Sequence, residues 1–348
     1  MEGKQESIKV MERSQPYFLS IFSSACFAGF NIVSKVSLNK GMSRYVLVVY
    51  AHAIGMLTTA VLALLFERKN RPRITFRILT HIFILGLLGP VIAMTTFYAG
   101  MGFTSSAFAS AMANLVPSMT LILAILFRME KLNIFKSSSQ LKIGGTLIAF
   151  AGATIMIIYK GTIVISLSST HSTKPMASLE KDWVKGSLLL IVSNFSQAAY
   201  YILQVTTIKL YSAPISLTLL TCLMGAVQAA VMTTIFDRKA SSWRLSWDIK
   251  LLAPIYCGVM VFGVTRYIQT LVIQKRGPVF VSAFRPVGTI IVAVMGLFIL
   301  KEALHLGSIL GAVLIFAGLY MVLWGKEKEN ANELIEKNLH DKGENVEP

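Results

Sequence analysis

The chain has 348 residues, of which 54% are hydrophobic and 14% are charged, whereas about 25% are charged in a typical soluble domain. These figures exclude a water-soluble globule, a disordered chain and a disulfide-stapled secreted domain. The net charge is +16, yet most Lys and Arg residues stand in short loops between apolar segments, where they orient helices and meet anionic lipid headgroups. We therefore expect a lipid bilayer as a partner and no nucleic acid, since no nucleic-acid-binding motif accompanies the charge.

Apolar stretches of about 20 residues recur along the chain, and each is long enough to cross a hydrocarbon core of about 30 Å as a helix. They predict an all-α membrane protein with ten transmembrane helices, which we number as spans 1 to 10. In chain order the predicted spans are residues 17–38, 45–66, 78–98, 105–127, 141–159, 183–206, 214–236, 249–272, 278–300 and 304–324.

Polar segments divide the chain into two five-helix halves. The predicted parts are an N-terminal segment (1–16), the first half (17–159), a Ser/Thr-rich connecting loop (160–182), the second half (183–324) and a charged tail (325–348). The tail is expected to be flexible and cytoplasmic because it is charged and polar, with seven acidic residues and four lysines. Lys and Arg residues of the first half are concentrated on one side of the membrane, which predicts that both termini face the cytoplasm.

The two halves carry the same residues at matching places. In and just after spans 4 and 5 stand Phe108, Ser110, Ala111, Glu130, Phe150, Ala151 and Gly152, which recur in and just after spans 9 and 10 as Phe280, Ser282, Ala283, Glu302, Phe316, Ala317 and Gly318. Five spans per copy is an odd number, so the second copy must cross the membrane in the opposite direction. In transporters such inverted repeats place the solute site near the bilayer midplane, between the copies.

Asp and Glu are absent from the interior of all ten predicted spans and occur only at their ends, as at Glu67 and Glu302. An intramembrane carboxylate is the usual proton or sodium carrier of a coupled transporter, so its absence favours a facilitator or a histidine-based relay. The sequence contains no HExxH, GxSxG or Walker motif. We therefore predict no enzymatic activity, no metal site and no cofactor.

Polar side chains fall on single faces of several spans. The residues are Ser106, Ser110, Asn114 and Ser118 in span 4, Asn194, Gln197, Tyr201 and Gln204 in span 6, and Ser24, Asn31 and Lys35 in span 1. In span 4, Pro117 predicts a local break of the helix. Two interpretations are open: interhelical hydrogen bonds worth about 0.6–2 kcal/mol each, or a water-filled cavity between the copies. We favour the cavity, because Asn, Gln and Tyr recur on several spans.

Two arginines, Arg266 in span 8 and Arg285 in span 9, lie inside predicted spans, where a charge costs about 3 kcal/mol or more. Either they snorkel to the headgroups, or they line the cavity and attract a carboxylate or another anion. Small residues mark spans 5 and 10 as closely packed helices and as candidates for a homodimer contact. These residues are Gly144, Gly145, Gly152, Gly307, Gly311 and Gly318.

Short motifs in both halves carry a family resemblance. They include YKG at 159–161, GPVFV at 277–281 and KEAL at 301–304. With them the chain resembles the plant nodulin-21-like, or WAT1-related, transporters of the EamA drug/metabolite superfamily along almost its whole length. The resemblance implies ten helices in two inverted five-helix EamA repeats and transport of amino acids, often in both directions, or of auxin.

The resemblance also bears on individual residues. Asn114, Pro117 and Gln269 match positions that are common in the family, whereas Arg266 and Arg285 depart from it and favour a more anionic ligand. From the polar faces and the resemblance together, the predicted substrate-binding residues are Asn31, Lys35, Tyr98, Asn114, Pro117, Asn194, Gln197, Tyr201, Arg266, Gln269 and Arg285.

The sequence thus leads us to expect a secondary transporter or facilitator of amino acids or related small organic solutes that carry a carboxylate. We expect it in the plasma membrane of a plant cell, with the vacuolar membrane as second choice. One alternative is a transporter of auxin or another aromatic acid. A second alternative, of another class, is a membrane scaffold or receptor that transports nothing.

Overall fold

The computed structural model describes the backbone of residues 2–67, 72–129, 135–159, 161–165, 176–237, 240–245, 247–276 and 284–344. Side chains are described in the same ranges apart from residues 2–14, 176–181, 240, 270, 273–276, 285–286, 330 and 332–344.

Within these ranges nine helices are long and apolar enough to cross a membrane, which confirms the predicted all-α membrane fold. They are spans 1 to 8 and span 10, at Gln15–Asn39, Arg44–Phe66, Phe76–Phe103, Ser106–Leu126, Ser137–Ile158, Asp182–Leu210, Pro214–Phe236, Ile249–Gln269 and Leu306–Glu329. Span 9 is described from residue 284 onward and forms a shorter apolar helix, Arg285–Ile299. Its predicted beginning, residues 278–283, lies outside the described residues.

Contacts between span ends define the two ends of the bundle. The carboxylate of Glu67, which follows span 2, accepts hydrogen bonds from the backbone N–H groups of Ile215 (2.8 Å) and Ser216 (2.7 Å) at the start of span 7. Tyr50, near the start of span 2, donates to the carbonyl of Trp243 between spans 7 and 8 (2.9 Å). We call the end that contains Glu67 the near end and the end that contains Trp243 the far end.

Spans 3 and 8 change helix type halfway along, at matching places in the two copies. The π-helical segments are Leu87–Met94 in span 3 and Cys257–Thr265 in span 8, each with α-helix on both sides. Pro90 lies within the first segment and Pro254 just before the second. Proline lacks the N–H that an α-helical turn requires, so each span has a cause for its irregular turn. The sequence analysis did not predict these segments.

Span 4 is broken where the sequence predicts a break. The helix Ser106–Met112 is followed by a 3₁₀ turn, Ala113–Leu115, and then by the helix Val116–Leu126 with Pro117 in its first turn. The backbone N–H of Val116 donates to the Ala113 carbonyl across the turn. A proline at the start of a helix loses no hydrogen bond, so the break satisfies the backbone on both sides.

Spans 5 and 10 pack through glycines. A Cβ on Gly145 would lie 2.5 Å from the carbonyl oxygen of Gly318, and a Cβ on Gly152 would lie 2.7 Å from that of Gly311. In the sequence repeat Gly145 corresponds to Gly311 and Gly152 to Gly318, so the contact is self-complementary, like that of a two-fold dimer. The two copies are therefore inverted relative to each other. Because one chain already occupies these glycines, they give no support to the predicted homodimer.

Regions outside the spans depart from the sequence predictions. The helix of span 10 continues as Leu306–Glu344, so the described part of the tail is helical, which the sequence did not predict. The helix of span 1 likewise begins early, at Glu2. In the connecting loop Ile163–Ile165 forms a short strand that pairs antiparallel with Leu304–His305, just before span 10. The strand pair lies at the far end and ties the connecting loop to the second copy.

Candidate solute cavity

A cavity lies inside the bundle, between spans 1, 3, 4, 6, 8 and 9. Its volume of about 110 Å³ is enough for several water molecules. The described wall residues include none from spans 5 and 10, in agreement with a packing role for those helices. The predicted binding residues on the wall are Asn31, Asn114, Asn194, Gln197, Tyr201, Arg266 and Gln269.

Three amide side chains on the wall keep a buried polar atom without a partner among the described residues. Asn31 donates through Nδ2 to the carbonyl of Phe27 (3.1 Å), while its Oδ1 accepts no hydrogen bond. The Oδ1 atom of Asn114 and the Nε2 atom of Gln197 are also unpaired. Leaving such an atom unsatisfied costs about 1–3 kcal/mol. Among the described wall residues, the hydroxyls of Ser20 and Ser23 are unpaired as well, so the cavity wall carries both acceptors and donors for water or a solute.

Asn114 joins the two copies on one side of the cavity. Its Nδ2 donates to the hydroxyl of Thr289 in span 9 (2.8 Å) and to the carbonyls of Ser110 and Ala111 in its own helix (both 3.1 Å). Thr289 donates in turn to the carbonyl of Ser110 (3.2 Å). This network fits both interpretations of the polar faces, because the same residue bonds two helices together and lines the cavity.

Asn194 holds span 6 against span 4, since its Nδ2 donates to the carbonyl of Met112 (2.7 Å). Gln269 is the last residue of span 8. It is 7% exposed and also lies on the cavity wall. Polar wall residues thus come from both copies, so a bound solute would contact both.

Arg266 supplies a positive charge to the cavity wall. It directly follows the π-helical segment of span 8 and is 8% exposed. Its guanidinium carbon lies 5.0 Å from the centre of the Tyr200 ring, within the range of a cation–π contact. Arg266 thus lines the cavity and contacts the Tyr200 ring of span 6. The side chain of Arg285 lies outside the described residues.

Three predicted binding residues are not on the cavity wall. Tyr98 is in the apolar core, 2% exposed, with its hydroxyl 3.5 Å from Ser34 Oγ. Pro117 belongs to the break in span 4. Lys35 lies beyond the cavity, toward the far end, and pairs with Glu302 (3.9 Å). Lys35 lies on the polar face of span 1, but it is one helical turn beyond Asn31, where the described cavity wall ends.

Other wall residues were not among the predicted ones. Span 1 contributes Ser20 and Ser23 in addition to Ser24, and aromatic side chains come from Phe27 and Phe97. The two serines extend the same face of span 1 by one turn, so its periodicity contained the signal. The sequence contains no signal for the aromatic wall residues, because phenylalanines are common throughout the spans.

Two inverted five-helix copies around a polar cavity define a multi-pass membrane transporter of a small solute. The EamA-like transporter family matches residues 15–158 and 184–324. The chain belongs to this family, which confirms the resemblance seen in its motifs and the prediction that it is a transporter and not an enzyme.

Relatives and one solved structure agree with this membership. The chain is 46% identical to WAT1-related protein At5g07050 of Arabidopsis thaliana, over 97% of this chain and 87% of the relative. It is 41% identical to WAT1-related protein At4g08290 of the same plant, over 97% and 90%. A solved structure described as "Crystal structure of protein" has the same fold, with a TM-score of 0.59 at 14% identity over 91% of this chain and 99% of that one.

Proposed function

We propose that the protein is a secondary transporter, acting as a facilitator, that moves amino acids or related small organic solutes across a plant membrane in both directions. The copies would alternate in exposing the cavity to the two sides. The cavity of about 110 Å³ has room for several water molecules, which a small solute would displace.

The charge of the wall is the observation that carries this proposal. Arg266 is the one charged side chain among the described wall residues, and none of them is acidic. A carboxylate on the solute complements the guanidinium group, and the unpaired Oδ1 atoms of Asn31 and Asn114 suit an ammonium group. In this proposal Gln197 and Gln269 orient the solute between these two groups.

An aromatic acid such as auxin is the second candidate. Phe27, Phe30, Phe97 and Tyr201 lie on the wall and offer ring faces. Such a solute would use Arg266 but would leave the two asparagine acceptors unpaired, which favours the amino acid. Competition between labelled glutamine and auxin in proteoliposomes distinguishes the two solutes.

The substitution Arg266→Gln tests the electrostatic role of the guanidinium group. We expect uptake of labelled glutamine into proteoliposomes to fall about tenfold or more, because a hydrogen bond to a charged group contributes about 1.5–3 kcal/mol. Arg44→Gln is the matched control: Arg44 also lies over a tyrosine ring (5.1 Å from Tyr45) but is at the far end, outside the cavity. Equal effects of the two substitutions would contradict the proposal.

A protein that gives no flux with any carboxylate or amino acid solute, although correctly folded, would instead support the scaffold alternative.

Arg266→Lys adds a finer test. Lysine keeps the charge but cannot make the paired hydrogen bonds of a guanidinium fork. We expect it to retain more uptake than Arg266→Gln.

We propose the plasma membrane as the location, with the near end of the bundle and both termini in the cytoplasm. The basic loops of the first half support this orientation, because Lys and Arg are concentrated in cytoplasmic loops of membrane proteins. A fluorescent tag on each terminus, quenched from one side only, tests the orientation, and its microscopic position distinguishes the plasma membrane from the vacuolar membrane.

A further inference from the structure

A layer of buried residues closes the cavity toward the far end. The described cavity wall ends at Asn31 in span 1 and at Ser110 in span 4. Span 1 continues to Asn39 and span 4 begins at Ser106. With a rise of about 1.5 Å per residue, the layer is about 6–12 Å thick. A solute that leaves toward the far end has to cross it.

A charged cluster from both copies occupies this layer. Lys35, only 6% exposed, donates to the carbonyls of Met101 and Thr104 at the end of span 3, the latter at 3.3 Å. Its ammonium group also lies 3.9 Å from a carboxylate oxygen of Glu302, between spans 9 and 10. Lys35 therefore joins two spans of the first copy to a connection of the second copy.

The other carboxylate oxygen of Glu302 holds the first turn of span 4. It accepts a hydrogen bond from the backbone N–H of Ser106 (2.8 Å) and one from its hydroxyl (2.5 Å). Span 9 approaches closely behind them, because a Cβ on Gly296 would lie 3.1 Å from Ser106 Oγ and 3.4 Å from Glu302 Oε2. The contact between span 4 and the second copy is thus both polar and tight.

This polar contact continues from the far end to the cavity. One helical turn from Ser106 toward the cavity, the hydroxyl of Ser110 donates to the hydroxyl of Thr289 (3.2 Å). One turn beyond Ser110, the Nδ2 of Asn114 donates to the same hydroxyl (2.8 Å). Helix ends and polar groups regain hydrogen bonds from water when they separate, whereas an apolar layer does not. Spans 4 and 9 therefore meet along a line whose polar groups water can satisfy when the spans part.

We propose that Lys35, Glu302 and Ser106 form the gate that closes the cavity toward the far end. The gate opens when Glu302 releases Lys35 and the first turn of span 4. This proposal depends on the transport activity of the family and not on the identity of the solute.

The test measures access to the cavity and needs no substrate. A Ser110→Cys reporter on the cavity wall is labelled with a membrane-impermeant maleimide, from one side in intact cells and from the other in inverted vesicles. Reporters at exposed positions identify the two sides: Trp247→Cys at the far end (97% exposed) and Phe76→Cys at the near end (85% exposed). The protein without a reporter gives the background from Cys26, Cys222 and Cys257, all of which are buried.

Glu302→Gln in the reporter protein removes the charge of the gate. We expect labelling from the far-end side to become about tenfold faster, the difference between a charged and a neutral hydrogen-bond acceptor, and labelling from the near-end side to become slower. Glu67→Gln is the matched control, because Glu67 accepts two hydrogen bonds from the first turn of span 7 in the same way but lies at the near end. It should leave far-end labelling within a factor of two of the parent.

Unchanged far-end labelling in a folded Glu302→Gln protein would overturn the proposal, as would an equal increase with Glu67→Gln. If Glu302→Gln does not reach the membrane, Ser106→Ala removes only one of the two hydrogen bonds and should give a smaller shift in the same direction. No shift with Ser106→Ala in that case also overturns it. Loss of glutamine uptake with the gate response intact would count against the proposed solute alone.

Discussion

At the scale of one residue, Asn114 combines a packing contact between the two copies with a place on the cavity wall. One N–H of its Nδ2 donates to Thr289 in the other copy, the second is shared between the carbonyls of Ser110 and Ala111, and its Oδ1 has no described partner. These bonds fix the orientation of the amide group. A fixed acceptor binds a solute at a lower entropic cost than a mobile one, so under the proposed function the packing bonds would contribute to recognition.

Thr289→Val tests this contact between the copies. Valine keeps the shape of threonine but cannot accept the hydrogen bond from Asn114, so we expect the free energy of unfolding to fall by about 1–3 kcal/mol. We also expect weaker binding of glutamine, because the Asn114 amide becomes mobile. Thermal unfolding in detergent and the KM of uptake measure the two effects.

Thr154→Val is the control for this substitution. Thr154 donates to a backbone carbonyl of its own helix, Phe150 at 2.9 Å, and is exposed on span 5. Its replacement should change neither quantity. If Thr154→Val and Thr289→Val behave alike, the contact between the copies has no special role.

At the scale of the helices, the sequence predicts what depends on hydropathy and misses what depends on backbone detail. Apolar length located the spans, and the polar faces located most of the polar residues on the described cavity wall. Lys35 was assigned to the site because it lies on the same helix face as Asn31. A shared face does not show where along the helix the cavity ends. The π-helical segments depend on backbone hydrogen bonding near Pro90 and Pro254, and the strand Ile163–Ile165 depends on pairing with the distant Leu304–His305. A hydropathy pattern contains neither.

The packing of spans 5 and 10 predicts a large effect from a very small substitution. Gly152→Ala would place a methyl group 2.7 Å from the Gly311 carbonyl oxygen, and the backbone there cannot move aside easily. Such overpacking costs about 1–3 kcal/mol. We expect a lower thermal midpoint in detergent and less folded protein in the membrane.

Gly144→Ala is a control on the same helix. A Cβ on Gly144 meets only the end of the flexible Met321 side chain, at 3.6 Å, so alanine should be tolerated. A normal thermal midpoint for Gly152→Ala, or an equal loss for Gly144→Ala, would show that the glycines do not determine the approach of the two helices.

At the scale of the whole molecule, the two copies are held together by contacts that do not require a continuous chain. They pack through spans 5 and 10, bond through Asn114 and Thr289, and share the strand pair at the far end. We therefore expect residues 1–170 and 171–348, produced together as two polypeptides, to co-purify and to transport glutamine. Recovery of either polypeptide alone would show that the covalent connection is needed for assembly.

The self-complementary packing of the copies has a consequence for their chemistry. Two identical half-length chains, inserted upside down relative to each other, could meet through the same glycines, but every charge in one would then be duplicated in the other. Such a pair would present two mutually repelling guanidinium groups to the solute, or none. Fusion into one polypeptide allows the halves to diverge, and Arg266 is a charge that only one of them contributes to the wall among the described residues.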